Sequence, residues 1–502
     1  MSQEVRYTSS HPRQGFVPRL FPSAEKRSLL LYLIVCAVGI TLGVATAIAA
    51  SLTIEWVVVL IIAVMGTALI AVFGNIERLL LAAAMMHIPL QLDAFIGYQE
   101  EVSARGAISG WIVSLATIAL VGLYVLWLLD LATTRKKDRS QVSISKRFIL
   151  LPLLYVGFNV LSLAVAQNLL LSSYGLFQMV QLLLLFVYIA FRIRSEEDVL
   201  FLVTMLLVGL ILESLIMIFV RVTGTTYDLG FTTASLERSG RVNGTMGSPN
   251  AAGGYLSMTL AVAVGALMVK DKPMLKWLAI VAISLGMISL ILTFSRGAWL
   301  GFAVACMVIG FVSLRKGWLT PSVIFAAFVV LVLLIAMNEG ISARVLGNDA
   351  GAAESRVYLN ELAFNMIKAH PLLGVGINNF TVAMYDYQTV ELANIWLFAV
   401  HNKYLLVWSE AGIGALITYM LFLLLSVRRG WRDIFKEPHP LSPIVLGLIA
   451  GILAHMTHMF VDVFNRGAAL YLVWLYTALI VAIGYCMQQY TNEGATPEPA
   501  EG

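Results

Sequence analysis

Three side chains in this sequence have the types and placing that anion and proton chemistry require: Arg241, Arg296 and His401. Arg241 shares with Arg238 the stretch R-S-G-R-V-N-G-T-M-G-S-P-N (Arg238–Asn250), where Gly240, Gly244, Gly247 and Pro249 let the backbone turn tightly. Such a loop can bring a guanidinium and backbone N–H groups onto one anion, or it can be a solvated connector whose glycines only make turns. Arg296 stands in T-F-S-R-G (Thr293–Gly297), which separates two apolar runs with almost no loop. There it either snorkels to lipid headgroups or projects into a cavity and grips an anion, for which a planar guanidinium is well shaped. His401 opens an apolar run, and its neutral imidazole can accept a proton from a hydroxyl or be an ordinary interfacial histidine. Glu410 is out of phase with it on a helix, so any partner for His401 must come from another element. His455, His458 and Asp462 are spaced three and four apart, which predicts one helix face, either a hydrogen-bonded inner stripe or a metal or proton site. Arg466 just beyond is placed to pair with Asp462.

The elements that must position these groups are membrane helices. Of 502 residues, 59% are hydrophobic and 12% charged, and the mean hydropathy is +0.86, which excludes a soluble globular domain. Cys36, Cys306 and Cys486 all lie in apolar runs, so no disulfide framework is expected. The formal net charge of +4 follows from basic loops and implies no nucleic-acid partner. Runs able to cross about 30 Å of hydrocarbon fall at 28–50, 55–74, 78–92, 109–131, 148–168, 173–191, 198–220, 251–269, 275–294, 297–314, 320–337, 402–427, 442–463 and 468–488. The fold class expected is all-α: a polytopic membrane bundle of about fourteen spans. With both termini cytoplasmic, most of the 33 basic residues fall on the inner side, as the positive-inside rule expects. An impermeant thiol reagent added from outside should therefore label Asp386→Cys and spare Lys136→Cys. Labelling of Lys136→Cys instead would invert the orientation.

Three longer loops then lie outside: about 93–109, 221–250, and a long one from Asn338 to His401. Within the last, Leu359, Leu362, Ala363 and Met366 recur at helical spacing, predicting an amphipathic helix lying on a surface. His370-Pro371 stops it, and Gly374 and Gly376 turn the chain. Two N-x-T sequons, at Asn243 and Asn379, fall in these loops. The chain divides into a cytoplasmic tail (1–27), N-terminal membrane helices (28–220), a first core part (221–337), the long loop (338–401), a second core part (402–488) and a cytoplasmic tail (489–502).

Five stretches carry a family resemblance: R-V-N-G-T-M-G-S-P-N (241–250), F-S-R-G-A-W (294–299), H-P-L-L-G-V-G-I-N-N-F (370–380), H-N-K-Y-L-L-V-W-S-E-A-G-I-G (401–414) and H-M-F-V-D (458–462). In this order they resemble the bacterial O-antigen ligase and polymerase family. The first 220 residues carry none of these motifs. The resemblance implies a C-type membrane glycosyltransferase of the inner membrane that uses neither metal nor cofactor. It would pass a glycan from undecaprenyl diphosphate to a hydroxyl on lipid A core, another glycan or a protein, on the outer face and with inversion. It assigns His401 as base and Arg241 and Arg296 as the diphosphate clamp, with Arg238, Asn250, His370, Asn402, His458 and Asp462 as supporting residues. The long loop would close over the lipid-borne sugar.

The rival class is a transporter or flippase of lipid-linked glycans, because about fourteen spans is also a transporter's number. Few ionisable groups interrupt the spans, Glu213 being the clearest, whereas coupled transporters carry midplane carboxylates. A non-catalytic scaffold leaves the grouping of Arg241, Arg296 and His401 unexplained.

Overall fold

The computed structural model describes residues 75–133, 146–230, 232–318, 352–389, 397–436 and 439–494. The chain forms two compact units, Met1–Leu79 with Tyr124–Ser140, and Leu80–Leu123 with Gln141–Gly502. The second carries every candidate site residue discussed below.

Helix α1 (Ile76–Leu90) leads into a hairpin of β1 (Asp93–Ile96) and β2 (Trp111–Ser114), with the single turn α2 (Glu100–Ser103) between them. There follow α3 (Leu115–Thr133), α4 (Lys146–Leu161), α5 (Leu169–Arg192) and α6 (Glu196–Thr223). A small antiparallel sheet, β3 (Tyr227–Asp228), β4 (Thr233–Leu236) and β5 (Val242–Gly244), precedes α7 (Pro249–Leu267), α8 (Pro273–Leu292) and α9 (Arg296–Lys316). After α10 (Ala352–Ala369) and the short α11 (Phe380–Ala383) come α12 (Lys403–Lys436), α13 (Ser442–His458) and α14 (Ala468–Gly494).

Among the described residues, nine helices are long and apolar enough to cross a membrane. Two further expected spans are met by shorter helices, α1 of 15 residues and α13 of 17. The expected spans at 28–50, 55–74 and 320–337 lie outside the described residues. The run at 109–131 is shortened, because residues 111–114 pair with residues 93–96 as a hairpin and the helix starts only at Leu115. Polar caps mark three helix starts: Asn168 accepts from the N–H groups of Leu170 and Leu171, Ser195 from Asp198, and Ser248 from Ala251 with Pro249 at the first turn.

Burial separates the helices. The most apolar window of α14 is 94% buried and that of α3 only 22%, so α14 is central and α3 faces the surroundings. Helices α7, α9 and α13 meet through small residues. A Cβ at Gly301 would stand 2.5 Å from the Ala454 carbonyl oxygen, and one at Gly447 2.7 Å from that of Ala261. In lipid, where apolar side chains gain nothing by leaving their surroundings, such backbone approach is what holds helices together. It also fixes the start of α9 beside the end of α13.

The loop after α10 is built into the bundle. Helix α12 breaks at Gly412 (φ 78°, ψ 177°), and the Leu372 carbonyl occupies the space a side chain there would need. The break frees the carbonyls of Ser409 and Glu410, which accept from Val375 and Gly376 N–H, while Ile413 N–H donates to Pro371. Asn378 then clamps the loop to distant backbone: its Oδ1 accepts from Ile108 N–H, and its Nδ2 donates to the carbonyls of Ile108 and Leu171, each at 2.8 Å. Asn378→Ala leaves these groups buried without that partner. A loss of about 1–3 kcal/mol is expected, read as a lowered thermal midpoint of the purified protein. An unchanged midpoint would mean that water replaces the amide.

The amphipathic helix forms over the expected residues, but its surface is not lipid. Leu359, Leu362, Ala363 and Met366 are buried against Val375, Phe380, Met384, Val400 and Leu406 of the same chain. The stripe folds the long loop onto the start of α12, so it is not available to a membrane. Both sequons are buried as well. The Asn379 side chain is 0% exposed and donates to the Asn168 and Ile377 carbonyls and to Ser172 Oγ, so its amide is a structural tie.

Candidate active site

Arg241 stands just before β5. Its Nε donates to the Thr293 carbonyl at 3.0 Å and its Nη2 to Asn250 Oδ1 at 2.9 Å, with Glu237 Oε2 at 3.9 Å from Nη1. The Arg241 side chain is 20% exposed. Its loop rests on α6 through Glu213, whose Oε1 accepts from Thr245 N–H at 2.9 Å and whose Oε2 lies 2.8 Å from the Thr245 hydroxyl. Thus Glu213, the clearest charge inside the spans, is a buried anchor for the arginine loop. Arg238 sits in the β4–β5 turn and is exposed, outside this network.

The Thr293 contact brings Arg241 to the turn that ends in Arg296, the first residue of α9. Phe294 there adopts φ 49°, a left-handed turn, and Ser295 offers no side-chain cap to the helix. The first N–H groups of α9 and the Arg296 side chain therefore share one helix N-terminus, where a helix attracts anions. Gly297 follows, and a Cβ on it would meet His458 Cδ2 at 2.5 Å and Nε2 at 2.8 Å. Glycine here lets the arginine turn rest on the histidine ring.

The expectation that His455, His458 and Asp462 share one helix face is corrected. Helix α13 ends at His458, and Asp462 lies beyond it with Oδ1 accepting from Val463 N–H at 2.7 Å. The chain leaves the helix because Phe464, at φ 38°, turns its ring onto both imidazoles, with centroids 4.6 and 4.7 Å away. Among the described residues, no three His, Cys, Asp or Glu side chains form a metal-holding group. Nor does Arg466 pair with Asp462. Its charge faces Asp93 of β1, whose carboxyl burial raises to about 6, the arginine opposing that shift.

His401 lies two residues ahead of α12, which is tied to the end of α13 by Lys403 N–H donating to the Met459 carbonyl and by Tyr404 Oη donating to the Met456 carbonyl. The Phe398 ring lies 5.2 Å from the imidazole, tilted by 34°. Burial pulls the imidazole below its ordinary value of 6.5. The Asp462 carboxylate opposes that shift, and the Arg356 guanidinium adds to it. The partner that the helix phase denies to Glu410 thus comes from beyond α13. His401 Nδ1, His458 Nδ1 and Asp462 Oδ2 are buried with no hydrogen-bond partner, so this face still has polar capacity to satisfy.

Two other expected supporting residues have structural tasks. Asn402 Oδ1 accepts from Tyr404 and Leu405 N–H, capping α12. His370 is exposed, and its Nε2 lies 2.7 Å from the Tyr387 hydroxyl within the loop. Arg356 was missed in the sequence although a signal existed: it stands three residues before Leu359, in line with the buried stripe of α10. Nothing in the sequence pointed to Phe398.

Residues 279–420 match the O-antigen ligase family. The matched segment runs from within α8 to within α12 and contains Arg296, the long loop and His401, while Arg241, His458 and Asp462 lie outside it. In this O-antigen ligase-like segment the apolar helices and the domain match together support a membrane protein of the glycan-transferring ligase and polymerase kind. No curated protein matches the chain.

Proposed function

We propose that this protein is an inverting, metal-independent glycosyltransferase of the outer face of a bacterial inner membrane. It takes a glycan from undecaprenyl diphosphate and passes it to an acceptor hydroxyl on lipid A core, another glycan or a protein. One observation carries the reading. Arg241 is bonded to the turn that presents Arg296, that turn rests on His458, and the neighbouring Asp462 faces both His458 and His401. These links support reading the two arginines as an anion clamp and His401 as a nearby base.

In the reaction, the neutral His401 imidazole takes the proton of the acceptor hydroxyl as its oxygen forms a bond to the anomeric carbon. The bond from that carbon to the diphosphate oxygen breaks, and the diphosphate leaves with the electron pair. Its growing charge is met by Arg241, Arg296 and the start of α9, preorganised donors of the kind that stabilise a transition state. The protonated imidazole is then steadied by Asp462. Burial, with Arg356 adding to it, disfavours a proton on His401 before the reaction and so favours the neutral base.

The test is transfer by the purified protein from an undecaprenyl-diphosphate-linked glycan to a hydroxyl acceptor, with a chelator present. Product with an inverted linkage and released undecaprenyl diphosphate is expected. Retained configuration, activity lost to the chelator, or movement of intact donor across vesicles without bond cleavage would each overturn part of the reading.

A further inference from the structure

The turn between the first two strands reaches the base. Arg105 and Gly106 follow α2, and both carbonyls hold the chain near His401: Ala399 N–H donates to Arg105 O at 2.9 Å, and Asn465 Nδ2 donates to Gly106 O. Gly106 has φ 88°, and a Cβ on it would stand 2.5 Å from two carbons of the Phe398 ring. That ring is the one packed on His401. A residue far outside the family-matched segment is therefore in contact with the ring that covers the base.

We propose that Gly106 and Phe398 are positioning residues for His401: the glycine leaves the seat in which the phenyl ring lies, and the ring fixes the imidazole's orientation and shields it from water. The proposal rests on His401 being the base. The charged groups facing the imidazole are Asp462, beyond α13, and Arg356, on α10, and the Ala399 backbone also hydrogen-bonds to it. Both charges remain when the ring is removed, so the effect of the ring can be isolated. Removing it admits water, which favours the protonated form and moves the imidazole back up toward its ordinary value. The neutral base then becomes available only at higher pH.

The experiment compares Phe398→Ala, Phe398→Tyr and Gly106→Ala in the transfer assay across pH. Phe398→Ala is expected to lower kcat by about 10²-fold at neutral pH, the scale of a misplaced catalytic group. The donor KM should stay unchanged, and the acid limb of the pH profile should move to higher pH. Phe398→Tyr keeps the ring and should keep the profile. Gly106→Ala should resemble Phe398→Ala, and the double variant should be no worse than Phe398→Ala, because both changes act through one seat. If Gly106→Ala fails to fold, Phe398→Ala and Phe398→Tyr carry the test alone. Wild-type kcat and an unmoved acid limb in Phe398→Ala would overturn the proposal. Robust transfer by His401→Gln would instead remove the base assignment on which it rests, so the two failures are distinguishable.

Discussion

His401→Gln is expected to lose at least about 10²-fold in kcat, the lower end of what a positioned base contributes. Glutamine keeps a polar group beside Phe398 and Asp462 but takes no proton, so a histidine with only a structural task would tolerate it. Donor KM should hardly move, because in the proposed reaction Arg241, Arg296 and the start of α9 hold the diphosphate end. The pH profile adds a second readout. Burial sets the imidazole below its ordinary value, so in the wild-type protein the acid limb of kcat should fall below pH 6.5. Asp462 is the charge that holds the imidazole up against burial. Asp462→Asn removes it, the pKa falls further, and the acid limb moves to lower pH while the maximal rate drops. An acid limb that stays in place in Asp462→Asn would detach the carboxylate from the base.

Arg296→Lys and Arg241→Lys should each lose about 10²–10³-fold in kcat, the range seen when one preorganised donor is removed, while the protein inserts normally. Lysine keeps the charge and snorkels nearly as well, but it lacks the planar fork that contacts two oxygens at once. At Arg241 the reason is visible in the fold. Nε and Nη2 bridge the Thr293 carbonyl and Asn250, and one ammonium cannot hold both while facing a ligand. Asn250→Ala should reproduce part of the Arg241 loss by freeing the guanidinium. The checks are kcat and donor KM for each variant, with membrane content measured alongside. Near-full activity in Arg296→Lys would leave that residue a headgroup anchor.

The sequence by itself determined the helical membrane class, because an apolar run of a given length is a local property that lipid reads without tertiary help. It determined the amphipathic helix over 355–368 for the same reason, since periodicity resides in the residues concerned. It also singled out Arg241, Arg296 and His401, polar types standing where apolar chain surrounds them. What covers the amphipathic stripe was not written there. A face of Leu359, Leu362, Ala363 and Met366 fits lipid and protein alike, and only the docking of the loop into the Gly412 break chose protein. The 455–462 segment misled because helical spacing was extended past His458, where the Phe464 turn, a long-range packing choice, ends the helix. The partners of His401 came from three separate places, Arg356 on α10, Asp462 beyond α13, and the Gly106 turn acting through Phe398. Contacts across more than 290 residues, such as Ala399 N–H to the Arg105 carbonyl, leave no periodic trace in a chain. Small residues in α7, α9 and α13 likewise let backbones far apart in sequence close, which sets the arginine turn against His458 at the end of α13.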